Sequence, residues 1–369
     1  MRGSHSRHLP APKPSTSAEG PPSTMSTAPA APSRTRALIK YTLSIVVTGL
    51  FLYLAFRGTN FHELLRSMAE ANYWWMLPYF AALMVSHILR SWRWRYMLEP
   101  VKAGISLRNL FSGVMVGYMM NNILPRAGEL VRPYAIGKLE DIPKSAAFGT
   151  IVVERLIDTL SFIILVVSIP LLYRGPLKES FPWLENTGII VTVVTAGALA
   201  LLIMLMLRRN WTDALLGVVR KLASPALAAR IEKGVHSFLD GFIFLKRPDR
   251  FLTIFVLSVL IWALYAVMMY AAFFAFDLQY LGFRSAIVVL AISSIGVAMP
   301  TPGGTGTYHV LTSQTLSRLY AVNATTALSY ATVTHAVGFI GVTLIGLYYF
   351  LHDHIRVSEA VKNGEREGK

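Results

Sequence analysis

The chain has no cysteine and few charged residues. Of its 369 residues, 54% are hydrophobic and only 15% are charged, and the mean hydropathy is +0.48. The lack of cysteine excludes disulfides, thiolate catalysis, iron–sulfur clusters and thiolate zinc sites. The scarcity of charge excludes an ordinary soluble domain. This composition predicts an all-α polytopic membrane protein.

Acidic residues are especially scarce. The 35 Lys and Arg residues outnumber the 20 Asp and Glu residues, which gives a formal net charge of +15. The basic residues stand in blocks beside apolar runs rather than on a separate soluble domain. We therefore expect them to anchor the chain to anionic lipid and not to bind nucleic acid.

The two ends of the chain differ from its middle. Residues 1–33 are rich in Pro, Ser and Ala, have no apolar run, and predict a disordered tail. The opening "MRGSH" resembles an expression-vector leader, and Met25 is an alternative start. Residues 353–369 predict a polar cytoplasmic tail, so 34–352 is expected to form a single transmembrane domain.

Several apolar runs have the length of about 20 residues that a transmembrane helix needs. Six predict full spans, at 36–56, 73–89, 146–172, 187–207, 251–277 and 325–351. Two weaker runs, 106–124 and 283–299, each end at a break that contains proline.

The positive-inside rule assigns a topology to the two weaker runs. Basic blocks precede the first span, follow the second, and fill the amphipathic connection 208–250. All of them fall on the cytoplasmic side if the two weaker runs dip into the membrane as re-entrant hairpins from opposite faces. Both termini are then cytoplasmic, and the hairpins form an inverted repeat. A faint echo between 145–156 and 326–337 agrees with this prediction.

The stretch "VAMPTPGGTGTYH" forms the tip of the second predicted hairpin. Backbone that leaves helical geometry inside a membrane must be buried in protein or line a wet cavity. We expect a hinge that allows close backbone approach. An extramembrane turn between two short spans is the alternative. The expected tip residues are Pro300, Pro302, Gly303, Gly304 and Gly306.

The first predicted hairpin carries more polar chemistry, in "NNILPRAGELVRPY". Its tip holds Pro125 and Gly128. If the returning limb is helical, Glu129 shares a face with both arginines that flank it, and these could bind a phosphate or a carboxylate. The alternative is a salt-bridge ladder at the interface. The candidate headgroup-binding residues here are Asn121, Asn122, Arg126, Glu129 and Arg132.

The following span contains "ERLID", about eight to twelve residues inside its apolar run. Charged side chains at mid-span cost about 2.5–3.5 kcal/mol each on insertion scales, so they should face the protein interior. Arg155 can pair with Asp158 at i,i+3, and with Glu154 the group carries one net negative charge. That predicts a proton relay or a cation-coupling site. A structural triad that fixes helix packing is the alternative.

Three other candidates come from the second half and one from the first. Tyr308 and His309 follow the glycine tip, and His335 lies in the last span, where an imidazole can titrate. Neutral histidines bonded to carbonyls are the alternative. The segment "RSWRWRY", residues 90–96, most simply predicts a cytoplasmic interface belt, with headgroup recognition as the alternative.

Together the motifs "NNILPRAGELVR", "ERLID" and "PTPGGTGTYH" resemble the flippase-like membrane region of lysylphosphatidylglycerol synthases, over about residues 36–350. The resemblance implies a translocator that moves a charged or glycosylated lipid between leaflets. The positions that match the family motifs are Asn122, Pro125, Arg126, Gly128, Glu129, Arg132, Glu154, Arg155, Asp158, Pro302, Gly303, Gly304 and Gly306.

Two departures from the family pattern qualify the resemblance. The family often has a glutamate a few residues after its glycines, where this chain has His309. The soluble aminoacyl-transferase domain is also missing, because only about eighteen polar residues follow the last span. We therefore do not expect the chain to make lysyl-lipid.

The sequence thus favours a lipid flippase or scramblase, not an enzyme, in the cell membrane. No nucleotide-binding motif is expected, since "PGGTG" lacks the Lys-Ser/Thr ending of a phosphate loop. No metal site or cofactor is expected either. The partners expected are anionic or aminoacylated phospholipids or polyprenyl-linked lipids, and the predicted spans could pair into a homodimer. The alternatives are a membrane transferase acting on polyprenyl-linked sugars and an ion-coupled exporter of a small solute.

Overall fold

The computed structural model describes residues 34–175, 177–182, 224–240 and 248–355, together with isolated positions between 189 and 221. These residues are mainly helical and include no β-strand, as the sequence predicted. The predicted tail 1–33 lies outside the described residues, and so do most of the predicted span 187–207 and most of the tail 353–369.

The helices follow one another with short connections. They are α1 Arg34–Phe56, α2 Phe61–Ala69, α3 Met76–Leu98, α4 Leu107–Ile123, α5 Gly128–Glu140, α6 Lys144–Leu172, α7 Leu177–Ser180, α8 Pro225–Asp240, α9 Pro248–Ala275, α10 Gly282–Ala298, α11 Thr307–Tyr320 and α12 Ala324–His352. Three short 3₁₀ turns lie before α3, before α10 and at Pro302–Gly304.

Four helices of the described chain are long and apolar enough to cross a membrane. They are α6, α9 without its first residue, α12, and α10 together with the 3₁₀ turn before it, Gln279–Ala298. Residues Thr42–Phe56 of α1 and helix α2 form a further apolar pair, bent by 85°. The run 283–299, which the sequence predicted as one limb of a hairpin, therefore lies mostly within a segment that is long and apolar enough to span.

Helix α3 extends nine residues beyond the predicted end at residue 89. Arg90, Arg93 and Trp94 are buried within the protein, whereas Trp92 and Arg95 are exposed. The prediction that the whole segment 90–96 forms an interface belt is therefore wrong. The buried arginines find carboxylates on another helix, which compensates for their removal from water.

The two halves of the chain contain helices of matching length. Helices α4, α5 and α6 have 17, 13 and 29 residues, and α10, α11 and α12 have 17, 14 and 29. Helices α5 and α11 both end at a residue in the left-handed region, Asp141 at φ 51° and Ala321 at φ 53°. The same order of elements therefore occurs twice.

Packing between the halves is reciprocal. Helix α4 of the first half packs on α12 of the second, and α10 packs on α6. Helices α3 and α9 pack on each other and join the two halves. Around this contact lies a core of aromatic and small side chains, in which the Tyr330 hydroxyl donates to the Met269 carbonyl at 2.9 Å.

Each half also has one close helix crossing that depends on a glycine. A Cβ on Gly128 of α5 would overlap the carbonyl oxygen of Gly117 in α4. A Cβ on Gly296 of α10 would lie 2.8 Å from the Thr307 carbonyl oxygen of α11. In both pairs the partners are eleven residues apart in sequence. These positions allow the backbones of the two limbs to approach closely.

Glu140 joins the first turn of α4 to the end of α5. Its carboxylate accepts from Asn109 at 2.7 Å, from the Ser106 amide at 3.1 Å and from Lys102 at 3.2 Å. Partial burial raises the pKa of this carboxyl, but these bonds outweigh burial and hold the pKa below its ordinary value. The outer ends of α4 and α5 therefore lie side by side.

Two peripheral segments are ordered by contacts with the bundle. In the connection 208–250, α8 packs on α6, and Arg220 pairs with Glu232 at 2.5 Å. After α12, Asp353 accepts from Arg108 at 2.9 Å and from Ser112 at 2.5 Å, and Ile355 is buried. The first residues of the predicted C-terminal tail therefore pack on α4 and α5.

Candidate functional site: a buried arginine cluster and a cavity between the halves

Glu154 of α6 lies at the centre of a buried group of ion pairs and is 1% exposed. Arg132 of α5 reaches it with both terminal nitrogens, at 2.8 and 3.2 Å. Arg90 of α3 lies 2.6 Å away, and the neighbouring Arg155 lies 3.2 Å away. Three helices therefore converge on one carboxylate.

Asp158, one turn further along α6, continues the same cluster. It accepts from Arg90 at 2.6 Å and from Arg93 at 2.7 Å, and Arg155 lies 3.7 Å away as the i,i+3 spacing predicted. Four guanidinium groups therefore share two carboxylates, and we call these six residues the arginine cluster. Its members are Arg90, Arg93, Arg132, Glu154, Arg155 and Asp158.

The formal charge of the arginine cluster is +2. The prediction of one net negative charge at "ERLID" is wrong, because it counted only the charges of α6. Arg90 and Arg93 enter from α3, and Arg132 enters from α5. A net positive charge attracts an anion and repels a cation, so it does not fit the expected proton relay or cation-coupling site.

Aromatic and hydroxyl side chains hold the arginines in place. The Arg132 guanidinium lies 4.3 Å from the centre of the Trp94 ring, whose Nε1 donates to Thr150 at 2.8 Å. On the opposite side, Arg93 donates to Ser258 at 2.9 Å and Arg90 donates to the Tyr265 hydroxyl at 3.1 Å. Helix α9 of the second half therefore completes the shell of the cluster.

A cavity of about 650 Å³ lies between the two halves of the chain. Arg90, Arg155 and Asp158 form its charged end. Much of the remaining wall is apolar and comes from α6, α9, α10 and α12, with Phe162, Val166 and Leu290 among its residues. A cavity of this size with polar groups at one end has the properties of a ligand site.

The first tip, between α4 and α5, separates the residues that the sequence grouped together. Arg126 is exposed, has φ 63°, and does not line the cavity. Within the described chain, neither Arg126 nor Glu129 has an ion-pair partner. The returning limb is helical from Gly128, so Glu129 and Arg132 lie three residues apart on α5 as predicted, but Arg126 precedes the helix and is not grouped with them. Only Arg132 joins the cluster. Asn121 instead accepts from the Gly128 amide at 2.7 Å and shapes the turn after Pro125.

The second tip brings the predicted aromatic and histidine residues together. The rings of His309 and His335 are 4.7 Å apart, and His335 Nε2 lies 3.0 Å from the Gly303 carbonyl oxygen. His309 Nδ1 accepts from the Gly306 amide at 3.3 Å. The Tyr308 hydroxyl lies 3.0 Å from that of Thr334. Tyr308 and His335 line the cavity, but His309 does not.

Positive φ values explain the glycines of the second tip. Gly303, Gly304 and Gly306 have φ of 56°, 74° and 86°. Pro302 begins the 3₁₀ turn, and the carbonyl of Pro300 accepts from Ser44 of α1 at 3.4 Å. The tip therefore packs against α1 and α12, with Thr301, Gly304 and Gly306 buried and Pro300 exposed.

Asn122 at the end of α4 connects the two tips. Its Nδ2 donates to the Phe339 carbonyl at 3.2 Å and to Thr343 at 2.9 Å, both in α12. A Cβ on Gly303 would lie 2.7 Å from Asn122 Oδ1. Both residues line the cavity, so the tips of the two halves meet at its wall.

Several residues of the site were missed from the sequence. His87, Trp262 and Tyr265 line the charged end of the cavity together with Arg90, which the sequence placed in the segment 90–96 with headgroup recognition only as the alternative. The spacing of His87, Arg90 and Trp94 at i, i+3 and i+7 was a signal, because it places them on one face of a helix. Among the described residues, no group of three His, Asp or Glu side chains could hold a metal ion.

Comparison with known proteins identifies the family. Residues 41–346 match the model of the lysylphosphatidylglycerol synthase TM region. The chain belongs to this family. The match covers most of the chain, from α1 through most of α12, and so includes both the arginine cluster and the second tip.

Its relatives include archaeal proteins named UPF0104 membrane proteins. One from Methanothermobacter thermautotrophicus is 24% identical over 83% of this chain and 91% of its own length. One from Pyrococcus horikoshii is 22% identical over 83% of this chain and 95% of its own length. One from Methanocaldococcus jannaschii is 29% identical, but the match covers only 34% of this chain and 38% of that protein.

Proposed function

We propose that this protein of the cell membrane translocates lipids with charged headgroups between the two leaflets. The observation that carries the proposal is a cavity that is charged at one end and reaches the outer surface through apolar side chains. Val167, Val297 and Met299 line the cavity and are also 66%, 54% and 38% exposed. A headgroup could occupy the charged end while the acyl chains remain in hydrocarbon between α6 and the end of α10.

We further propose six full spans and two re-entrant hairpins in an inverted repeat, with both termini cytoplasmic. The matching helix lengths and the reciprocal packing of the two halves support the repeat. At 1.5 Å per residue, α4 and α5 are about 26 and 20 Å long, shorter than the roughly 30 Å hydrocarbon core. The Glu140 bonds, which hold their outer ends together, also support a hairpin.

A transporter fits the arginine cluster better than a transferase does. A transferase would need Glu154 or Asp158 as a free base. Both carboxylates are instead bonded to guanidinium groups, which stabilise their ionised forms. We therefore propose that these residues position headgroup-binding arginines and take no part in covalent chemistry.

The test is leaflet exchange of fluorescent phospholipids and polyprenyl phosphates in liposomes that contain the purified full-length protein. A membrane-impermeant reductant bleaches only the outer leaflet, so exchange appears as loss of more than about half of the signal. We expect exchange with the wild type and its loss with Val297→Trp, which fills the apolar opening of the cavity. The matched control is Leu252→Trp, an exposed position of α9 that does not line the cavity.

Two results would count against translocation. One is that no lipid exchanges between leaflets under imposed pH and potential gradients, although a measured unfolding transition shows that the protein is folded. The other is equal exchange in the wild type and Val297→Trp, which would show that lipids do not use this opening.

A further inference from the structure

The charged end of the cavity has hydrogen-bonding capacity that the described residues do not use. Both ring nitrogens of His87 are buried without a partner, and His87 is 2% exposed. The Nε atoms of Arg90 and Arg155 and the Nε1 of Trp262 are likewise buried and unpartnered. All four side chains line the cavity. The Nε atoms of Arg93, Arg132 and Arg250 are also unpartnered, away from the cavity, so the arginines alone do not single it out. Among the described residues, the buried imidazole and indole without partners both line the cavity, and because buried polar groups are normally paired, they point to a ligand.

The unused groups are mainly donors. The Nε–H of an arginine and the Nε1–H of a tryptophan can only donate, and an imidazole offers at least one donor. The Tyr265 hydroxyl accepts from Arg90 at 3.1 Å, which leaves its own proton for another acceptor. A ligand that satisfies this wall must therefore be rich in acceptor atoms.

These donors come from three helices. His87 and Arg90 lie one turn apart on α3, and the His87 ring packs on Tyr118 with ring centres 4.6 Å apart. Trp262 and Tyr265 lie one turn apart on α9, with ring centres 5.8 Å apart in an edge-on arrangement. Arg155 comes from α6, so the donors surround one volume.

The charge of the arginine cluster determines which headgroup fits. Its two carboxylates are occupied by guanidinium groups, and a formal charge of +2 remains. A cationic headgroup would find no free carboxylate and would be repelled in a region of low dielectric. A phosphate oxygen would find both charge and donors, with the geometry that arginine favours.

We propose that the side chains of His87, Arg90, Arg155 and Trp262 form a binding site for a phosphate ester with net negative charge, and that the site disfavours cationic aminoacylated headgroups. A role of this site in transport rests on the proposed function. Binding of the phosphate ester does not depend on transport and can be measured by itself. Two sources carry this chemistry, namely an anionic phospholipid and a soluble phosphate ester.

The test is native mass spectrometry of the full-length protein with an equimolar mixture of three lipids that share acyl chains. These are phosphatidylglycerol, phosphatidylcholine and lysylphosphatidylglycerol, with net charges of −1, 0 and +1. We expect occupancy to fall in that order, with about a tenfold preference for the anionic over the cationic lipid. Glycerol phosphate, added as a competitor, distinguishes the two sources.

Two variants probe the site and one serves as the control. Arg155→Gln removes one positive charge and should reduce the anionic preference severalfold. Trp262→Phe keeps the ring packing but removes the N–H, and should weaken phosphatidylglycerol binding even if Arg155→Gln does not fold. Arg95→Gln makes the same charge change at an exposed position of α3 and should leave the order unchanged.

Equal or stronger binding of lysylphosphatidylglycerol would overturn the proposal. So would an equal effect of Arg95→Gln and Arg155→Gln, because surface charge would then explain the preference. Displacement of the lipid by glycerol phosphate would support the anion site but overturn the lipid as its ligand. If the order of lipid occupancy follows headgroup charge but no lipid exchanges between leaflets, the anion site stands and translocation is refuted. If lipids exchange but occupancy does not follow charge, translocation stands and the anion site is refuted.

Discussion

Arg132 of α5 forms a two-pronged ion pair with Glu154 of α6, with Nη2 at 2.8 Å from Oε2 and Nη1 at 3.2 Å from Oε1. Both side chains are almost fully buried. The pair joins α5 to the adjacent long helix α6. Since Glu154 also neutralises part of the charge of three other arginines, the stability of the cluster depends strongly on this one carboxylate.

Replacing Glu154 with glutamine should destabilise the protein severely. The substitution leaves the buried Arg132 guanidinium without the acidic partner that it has among the described residues, which typically costs about 3–5 kcal/mol. The unfolding temperature in detergent, followed by tryptophan fluorescence, measures the effect. Glu129→Gln is the control, because Glu129 has no ion-pair partner among the described residues, and its effect should stay within about 0.5 kcal/mol. Comparable losses in both variants would contradict the central role of Glu154.

Substituting lysine for Arg132 should be harmful, although the charge is retained. Lysine cannot form the two parallel bonds to Glu154 or stack its planar group on Trp94. We expect a loss of about 1–3 kcal/mol in stability. Arg126→Lys makes the same exchange at the exposed tip and should have little effect. An unchanged unfolding temperature in Arg132→Lys would show that charge alone matters at this position.

Adding a methyl group at Gly128 should separate the limbs of the first hairpin. The new Cβ would overlap the backbone of Gly117. Because backbone atoms cannot move aside as a flexible side chain can, we expect Gly128→Ala to cost about 1–3 kcal/mol through overpacking. Gly49→Ala is the matched control, since a Cβ there meets no atom within 4 Å. A Gly128→Ala protein as stable as Gly49→Ala would contradict the close crossing of α4 and α5.

Acid should remove the stabilisation that Glu140 provides. Its pKa is lowered in the folded protein, so its contribution is complete above the unfolded value of about 4.3 and is lost as the pH falls towards the folded value. The difference in unfolding temperature between wild type and Glu140→Gln should therefore be largest near neutral pH and shrink below about pH 4. Glu70→Gln, which removes an exposed pair with Arg66, is the control. A constant difference across this range would contradict the bonding of the Glu140 carboxylate.

The absence of cysteine allows the proposed topology to be mapped with single introduced thiols. If α4 and α5 form a re-entrant hairpin, Ala103→Cys and Asp141→Cys should react with an impermeant maleimide from the same side of the membrane. If α10 and α11 form the second hairpin, Gln279→Cys and Ala324→Cys should react from the opposite side. Labelling of Ala103→Cys and Asp141→Cys from different sides would show that the first hairpin crosses the membrane.

Most long helices could be predicted from apolar runs alone. The runs 146–172, 251–277 and 325–351 correspond to α6, α9 and α12 within three residues at each end. Membrane helices have a length that hydrophobicity reveals directly. Helix α3 was predicted too short, because Arg90 and Arg93 were interpreted as the end of a span. Their partners Glu154 and Asp158 are 64 and 65 residues away in sequence, and no local pattern identifies them.

Only part of the candidate site could be predicted, because its members also come from distant parts of the sequence. Glu154, Arg155 and Asp158 could be found because charge inside an apolar run is conspicuous. The sign of the cluster could not be found, since it depends on which other helices approach α6. His87 and Trp262 are also compatible with an ordinary helix interior. Only the three-dimensional structure shows that their buried nitrogens have no partner among the described residues.

The reciprocal packing of the halves has a consequence for how the chain assembles. One helix of each hairpin, α4 or α10, packs on the long helix of the other half, whereas α5 and α11 pack on the long helix of their own half. The exchange resembles that of a domain-swapped dimer. A half by itself would expose one helix of its hairpin and the face of its long helix that the other half normally covers. The two halves therefore resemble the subunits of a heterodimer that have been joined into one chain. We expect each half to aggregate when it is expressed alone and the two halves to assemble when they are co-expressed.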